Sequence, residues 1–374
     1  MKIHKVAIYL SAVLLLVASY CTSLEHSGRY LKYLIFPLIG LSFLFNRKFV
    51  VKRFILNNFI LFLGLSLCNF FVLLYKNQIN TRFFEEVFLL LIPILTVMLI
   101  TGIKNGDIGK TIDLYFKTYC LSFVAFFWKD LLDLGNLLSS FRSALTLSEF
   151  PTESWLAFPL GVFSLYYFFE KRKWYFLISF FFFLLAFKRI AILGFIVVTI
   201  GYWVYFKLLK QKFNPIGALK SLVILNTVFI SVIYLLVSNF FTTFVKTHTG
   251  ITINHFTQGR FVVYKDVINQ FATDIWTGST LGSTHLYLRN KYEDYQYLHS
   301  DILKIMLELG IFLFIIWLIL FIAINIKGKK SILLILFLNI LFISDNVFIY
   351  FDTLFIFYLI ISKYDNDISQ KTIE

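Results

Sequence analysis

This chain has little of what a water-soluble domain is built from. Charged residues make up 15% of its 374 positions, against about 25% in ordinary soluble domains. Cysteine is scarce: three residues, Cys21, Cys68 and Cys120, cannot form a dense disulfide framework, and no pair has the spacing of zinc ligands. No GxGxxG or GxxxxGK[ST] stretch occurs, which excludes a dinucleotide fold and a P-loop nucleotide hydrolase. There is no internal repeat and no low-complexity tract.

What the chain has instead is apolar length. It is 59% hydrophobic, with 47 phenylalanines, and its mean hydropathy is +0.79. A globule in water could not cover that surface without large sticky patches, so the bilayer is the natural solvent. The apolar runs are continuous and do not alternate with period two, which favours helices over a barrel. One span takes about 20 apolar residues. Twelve runs fit: 5–22, 30–46, 54–75, 84–101, 112–131, 154–170, 174–187, 190–209, 217–241, 300–325, 331–344 and 347–361. The seventh, eleventh and twelfth are short or closely coupled, so ten or eleven spans are also admissible. The expected fold is all-α: a single polytopic integral membrane bundle over residues 1–374, with a large loop at 242–298. At the N-terminus, Lys2 and Lys5 precede an apolar run from Val6 to Ala18. The following Ser19-Tyr20-Cys21-Thr22 lacks a cleavage pattern, so an uncleaved first span is expected.

The net charge of +14 would suggest nucleic acid in a soluble protein. Here the lysines and arginines sit at the ends of apolar runs, where they set topology. With a cytoplasmic N-terminus, the inward segments carry more than twice the basic residues of the outward ones. Both termini are therefore expected in the cytoplasm, and the polar segments 132–153 and 242–298 outside. Long loops on a rigid scaffold commonly carry function.

Several residues stand out. Lys188-Arg189 interrupts two apolar runs on the outward side, against the trend. It is either an interfacial anchor or an anion site, since Arg grips phosphate bidentately. The outer loop carries Gln258-Gly259-Arg260, Asp266, Trp276-Thr277-Gly278, Gly282, His285, Arg289 and Tyr292, and ends at His299-Ser300-Asp301. Its glycines read as turns and its histidines as solvated, unless they act together. Asp301, Lys304 and Glu308 share a helix face at i, i+3, i+7, either as a stripe of mutually paired charges or as a polar wall leading to His299. His299 and Glu308 stand about half a turn apart and face different ways unless the helix is broken.

Three stretches resemble the O-antigen polymerase and O-antigen ligase superfamily, the Wzy/WaaL group. They are Phe187-Lys188-Arg189-Ile190-Ala191-Ile192-Leu193, Gln258-Gly259-Arg260 with Trp276-Thr277-Gly278 and Gly282, and His299-Ser300-Asp301-Ile302-Leu303 through Glu308-Leu309-Gly310-Ile311. Lys188 stands where the family has Ser, and Ser300 where it has Asn. The resemblance implies a GT-C-like membrane glycosyltransferase of the cytoplasmic (inner) membrane with its active site on the extracytoplasmic face. The donor would be a glycan on undecaprenyl pyrophosphate, and the acceptor a sugar hydroxyl of another lipid-linked repeat. Nucleotide sugar, cofactor, metal and nucleic acid have no part in that picture. A chain-length regulator and a flippase are the implied partners.

Such chemistry needs a base for a weak hydroxyl nucleophile, for which His299 is the candidate. It also needs cations at the leaving pyrophosphate, for which Arg189 and Arg260 are the candidates and Arg289 a weaker one. Lys188, His285, Asp301, Lys304 and Glu308 would support them. The short, diverged chain suits a repeat-unit polymerase for O-antigen or capsule. The alternatives are a ligase acting on lipid A core, a flippase or other transporter, and a scaffold protein.

Overall fold

The computed structural model describes residues 31, 33–45, 51–77, 80–102, 107–133, 150–210, 212–238, 259–292 and 297–371, with 17, 135, 139–140, 243–244 and 246–248 besides. The first expected span, 5–22, lies outside the described residues but for Val17, as does Cys21. Among the described residues there is no strand.

The elements follow the apolar runs. They are α1 (Ile35–Phe45), α2 (Arg53–Tyr75), α3 (Thr81–Thr101), α4 (Ile108–Leu132), α5 (Ala157–Phe169), α6 (Lys173–Leu185) and α7 (Arg189–Gly201), which continues as a π-helix over Tyr202–Leu208. Then come α8 (Pro215–Val237), two short helices α9 (Arg260–Gln270) and α10 (Ser283–Lys291), and α11 (Asp301–Asn325), α12 (Lys329–Ser344) and α13 (Phe351–Lys371). Several starts are capped by side chains that accept from the first turn: Asn80 on α3, Asp107 on α4, Asn214 before Pro215 on α8, and Ser300 on α11.

Among the described residues, five helices are long and apolar enough to cross a membrane: α2, α3, α7 with its π continuation, α8 and α11. The runs 154–170 and 174–187, expected as full spans, form the 13-residue helices α5 and α6. At 1.5 Å per residue each is about 20 Å long, short of a hydrocarbon core of about 30 Å. The closing pair is unequal: α12 has 16 residues, and α13 runs on to Lys371 after a 3₁₀ turn at Val347–Ile349.

The interior belongs to α13. Leu354 to Ile361 are buried throughout, packed against α3, α5 and α4. By contrast α7 and α8 present Leu193, Ile196, Ile200, Ile224, Val228 and Leu235 outward. An apolar exterior is what a lipid solvent favours. Buried amides tie helices across the bundle: Asn58 and Asn325 exchange hydrogen bonds at 3.2 and 2.9 Å, and Asn226 donates to Asn339 at 2.9 Å. Interhelical polar contacts of this kind substitute for the missing hydrophobic drive.

The two ends of the bundle keep the two sets of loops apart. At one end Arg172 pairs with Asp113, Lys330 with Glu170 and Lys327 with Asp365. At the other, Lys76 pairs with Asp274, Arg82 with Glu86 and Lys188 with Glu153.

Candidate active site

At this second end lies a cleft of about 500 Å³, lined by Glu153, Lys188, Arg189, Arg260, Tyr264 and Asp345 with apolar side chains of α7, α8 and α12. Its polar lining comes from three parts of the fold, the first of them two segments stitched together. The tight turn from α6 to α7 carries Phe187 in the left-handed region, at φ 34°, and sets Lys188 just before α7 and Arg189 at its first position. Segment 150–154 is stitched to that turn: the Thr152 hydroxyl donates to the Leu185 carbonyl at 2.5 Å, the Ser154 N–H to the Ala186 carbonyl at 3.0 Å, and Phe150 packs on Phe187. This holds the Glu153 carboxylate 2.9 Å from Lys188 Nζ.

The second piece is α9. Gly259, at φ 84°, opens it, and Arg260 Nη1 donates to the Ser344 carbonyl at 3.3 Å. One turn on, the Tyr264 hydroxyl donates to the His299 carbonyl at 2.6 Å. Burial pushes the Tyr264 phenol up to about 12, so it remains a donor. The third piece is the α12–α13 connection. The Asp301 N–H donates to the Asp345 carbonyl at 3.2 Å, and the Phe348 N–H to Asp301 Oδ2 at 3.0 Å. The start of α11 is thereby laced to Asp345, whose Oδ1 stands 3.7 Å from His299 Nδ1. Burial pushes the Asp345 carboxyl up, but His299, the Lys188 ammonium and the Asn346 N–H outweigh it and hold the group below the usual carboxylate range.

Of the residues singled out in the sequence, the fold thus brings Lys188, Arg189 and Arg260 to one cleft. His299 adjoins it through Tyr264 and Asp345, and Asp301 sits behind. The others go elsewhere. Asp301, Lys304 and Glu308 make no salt bridges with one another, contrary to the expected paired stripe: Lys304 Nζ lies 2.7 Å from Glu86 of α3, which Arg82 also holds, and Glu308 accepts from the Thr284 N–H and hydroxyl. His285 is buried with its ring 4.7 Å from Tyr297. Arg289 is exposed and does not line the cleft. The buried positions of α10 are Thr284, His285 and Leu288, so residue 289 falls on the outward side.

Part of the large loop is packed on the bundle. Its stretch 275–280 is laid against α11 where that helix breaks, at Gly310 with φ 80° and ψ 162°. The Ser279 and Thr280 N–H groups donate to the carbonyls of Leu307 and Glu308, and the Ile311 N–H donates to Ile275. These bonds occupy backbone groups that the break would orphan. A Cβ on Gly310 would meet the Trp276 carbonyl at 2.5 Å, and one on Gly278 would meet the Glu308 carbonyl. The glycines of both motifs thus let two backbones touch. The break falls beyond Glu308 and does not turn it toward His299.

Glu153, Tyr264 and Asp345 were not singled out as site residues. Asp345 stands between the apolar runs 331–344 and 347–361, where a carboxylate is costly, and that is its signal in the sequence. Nothing in the local sequence marks Glu153. Among the described residues no group of three or more His, Cys, Asp or Glu is placed to hold a metal ion.

Residues 174–318 match the family model described as O-antigen ligase. The match takes in Lys188, Arg189, Arg260 and His299, and stops before Asp345. No curated protein and no solved structure matches the chain. The matched segment supplies the basic wall of the cleft and most of the helix that follows His299, and over that part the chain is similar to the O-antigen ligase family.

Proposed function

We propose that the protein polymerises the repeat units of a bacterial surface polysaccharide, O-antigen or capsule, at the extracytoplasmic face of the cytoplasmic membrane. The donor is a glycan on undecaprenyl pyrophosphate and the acceptor a sugar hydroxyl of a second lipid-linked repeat. The scaffold is a GT-C-like bundle of about twelve spans, working beside a flippase and a chain-length regulator. One observation carries the reading: Lys188, Arg189 and Arg260, from two distant parts of the chain, line the same cleft as Asp345, the residue that faces His299.

The chemistry follows from that arrangement. The Asp345 carboxylate faces Nδ1 at 3.7 Å and favours the imidazolium that forms when Nε2 takes the proton of the acceptor hydroxyl. As the hydroxyl oxygen attacks the anomeric carbon, its proton passes to His299, a step worth about 10²–10⁴ in rate. The bond from that carbon to the phosphate oxygen breaks, and its electron pair leaves with the pyrophosphate. Guanidinium groups held in place before the reaction stabilise that charge as it develops.

Deleting the gene and sizing the surface glycan tests the reading. Single repeats without polymer support the polymerase. Full-length polymer lacking its anchor supports the second reading, an O-antigen ligase that moves finished chains to lipid A core, which the description of the matched family favours. His299→Ala at normal membrane level should behave like the deletion; a normal glycan ladder would remove His299 from the mechanism.

A further inference from the structure

The Lys188–Glu153 pair sits in the cleft itself. Its N···O distance is 2.9 Å, with the two side chains 27% and 26% exposed. Glu153 is held there by design of the chain around it: its N–H donates to the Phe150 carbonyl, and its neighbours Thr152 and Ser154 are bonded to the α6–α7 turn. A structural ion pair could stand anywhere on this surface. This one spends a cation that faces the proposed pyrophosphate. The cleft's charged lining is Lys188, Arg189 and Arg260 against Glu153 and Asp345, so the two carboxylates leave one net positive charge.

The charge of the ligand changes during transfer. A glycan on a lipid pyrophosphate is a diester of pyrophosphate with two negative charges. When the sugar–oxygen bond breaks, the lipid pyrophosphate keeps the electron pair and gains a third, while the hydroxyl proton goes to the base. A cleft built only of cations therefore binds product more tightly than donor, and turnover stalls on release.

Resting on the pyrophosphate reading of the cleft, we propose that Glu153 is a release residue: it shares Lys188 with the ligand and reclaims it after transfer, which weakens the hold on the more highly charged product. Donor binding draws the Lys188 ammonium toward phosphate, and Glu153 stays as a fixed negative charge beside it. The extra charge on the product feels that repulsion most. Glu153 acts through Lys188 and the ligand's charge and touches no reacting atom.

The test uses the full-length protein, purified and reconstituted in nanodiscs, and titrated with inorganic pyrophosphate. Removing one negative charge within several ångströms of a bound anion in a partly wet cleft changes affinity by roughly tenfold. Glu153→Gln should therefore bind pyrophosphate about tenfold more tightly, and Glu153→Asp should fall between it and the wild type. Lys188→Gln should weaken binding, and adding Glu153→Gln to it should restore only part of the loss. In the transfer assay Glu153→Gln should lower the donor KM and kcat together and sharpen inhibition by added pyrophosphate. A purely structural pair would lower stability without tightening any anion.

If Glu153→Gln binds pyrophosphate as the wild type does, or more weakly, while Arg260→Ala loses binding, the release role is overturned and the pyrophosphate cleft stands. If neither the wild type nor any of these variants binds pyrophosphate, the cleft reading falls and the release role with it.

Discussion

His299 Nδ1 stands 3.7 Å from Asp345 Oδ1, across a gap that joins two chain segments separated by all of α11 and α12. That is longer than a hydrogen bond but close enough for the carboxylate to attract a protonated imidazole. The pair exists because the Asp301 N–H and the Asp345 carbonyl clip the start of α11 to the end of α12.

Asp345 should make stability depend on acid. Its folded carboxyl lies below the ordinary range, against the push of burial, because of His299, Lys188 and a backbone N–H. A depressed carboxylate contributes stability that is complete above its unfolded value, about 3.9, and is lost as pH falls through its folded value. Asp345→Asn should therefore melt lower at pH 7 and converge with the wild type as pH falls through the folded value. Parallel melting curves for the two proteins from pH 7 to pH 3, measured in detergent, would show that the charge contributes nothing.

Arg189 and Arg260 separate anion binding from anchoring. An interfacial anchor needs only a cation, so Arg189→Lys would be silent, and Lys188 could cover even Arg189→Ala. A pyrophosphate clamp needs the planar fork. Arg189→Lys should then cut polymer formation substantially, and each Ala variant by about 10²–10³, the value of about 2.7–4 kcal/mol of transition-state stabilisation. Glycan ladders at matched membrane levels read the difference. Wild-type polymer from the double Ala variant returns Lys188-Arg189 to an anchoring role.

Gly278 and Gly310 should be intolerant for a steric reason. Each has a positive φ, and each Cβ would collide with the partner's backbone. Gly310→Ala adds about 1–3 kcal/mol of conformational strain before the collision with the Trp276 carbonyl is counted. Both Ala variants should lower the melting temperature and the membrane level of the protein. Gly40→Ala, which meets nothing within 4 Å, is the control and should leave both unchanged.

Topology has its own test. Reporter fusions at Lys212 and Lys291 should report opposite sides of the membrane. Both residues on one side would sink the proposed orientation and detach the cleft from the extracytoplasmic face.

Much of the bundle was legible because the bilayer imposes it locally. A span must satisfy its own backbone bonds and carry an apolar surface, and both are properties of consecutive residues. So α2, α3, α8 and α11 stand within a few residues of the apolar runs at 54–75, 84–101, 217–241 and 300–325. Lys188, Arg189 and His299 stand out in the sequence too, since charge or imidazole at the edge of an apolar run costs energy, and Arg260 stands out through its Gly-Arg motif in the polar segment. What only the tertiary structure decided is who stands beside whom. Lys304 could have paired with Glu308 one turn away, yet it pairs with Glu86 of another helix. Asp345 stands between two apolar runs in the sequence and lies against His299 in the fold, and Glu153 closes the polar segment 132–153 and holds Lys188. Helix periodicity ranks only neighbours along one helix, whereas a buried charge takes its partner from whichever helix packs across from it. That choice is set by side-chain volumes and backbone contacts spread over the whole bundle, such as the two glycines that let the 275–280 segment enter the break in α11.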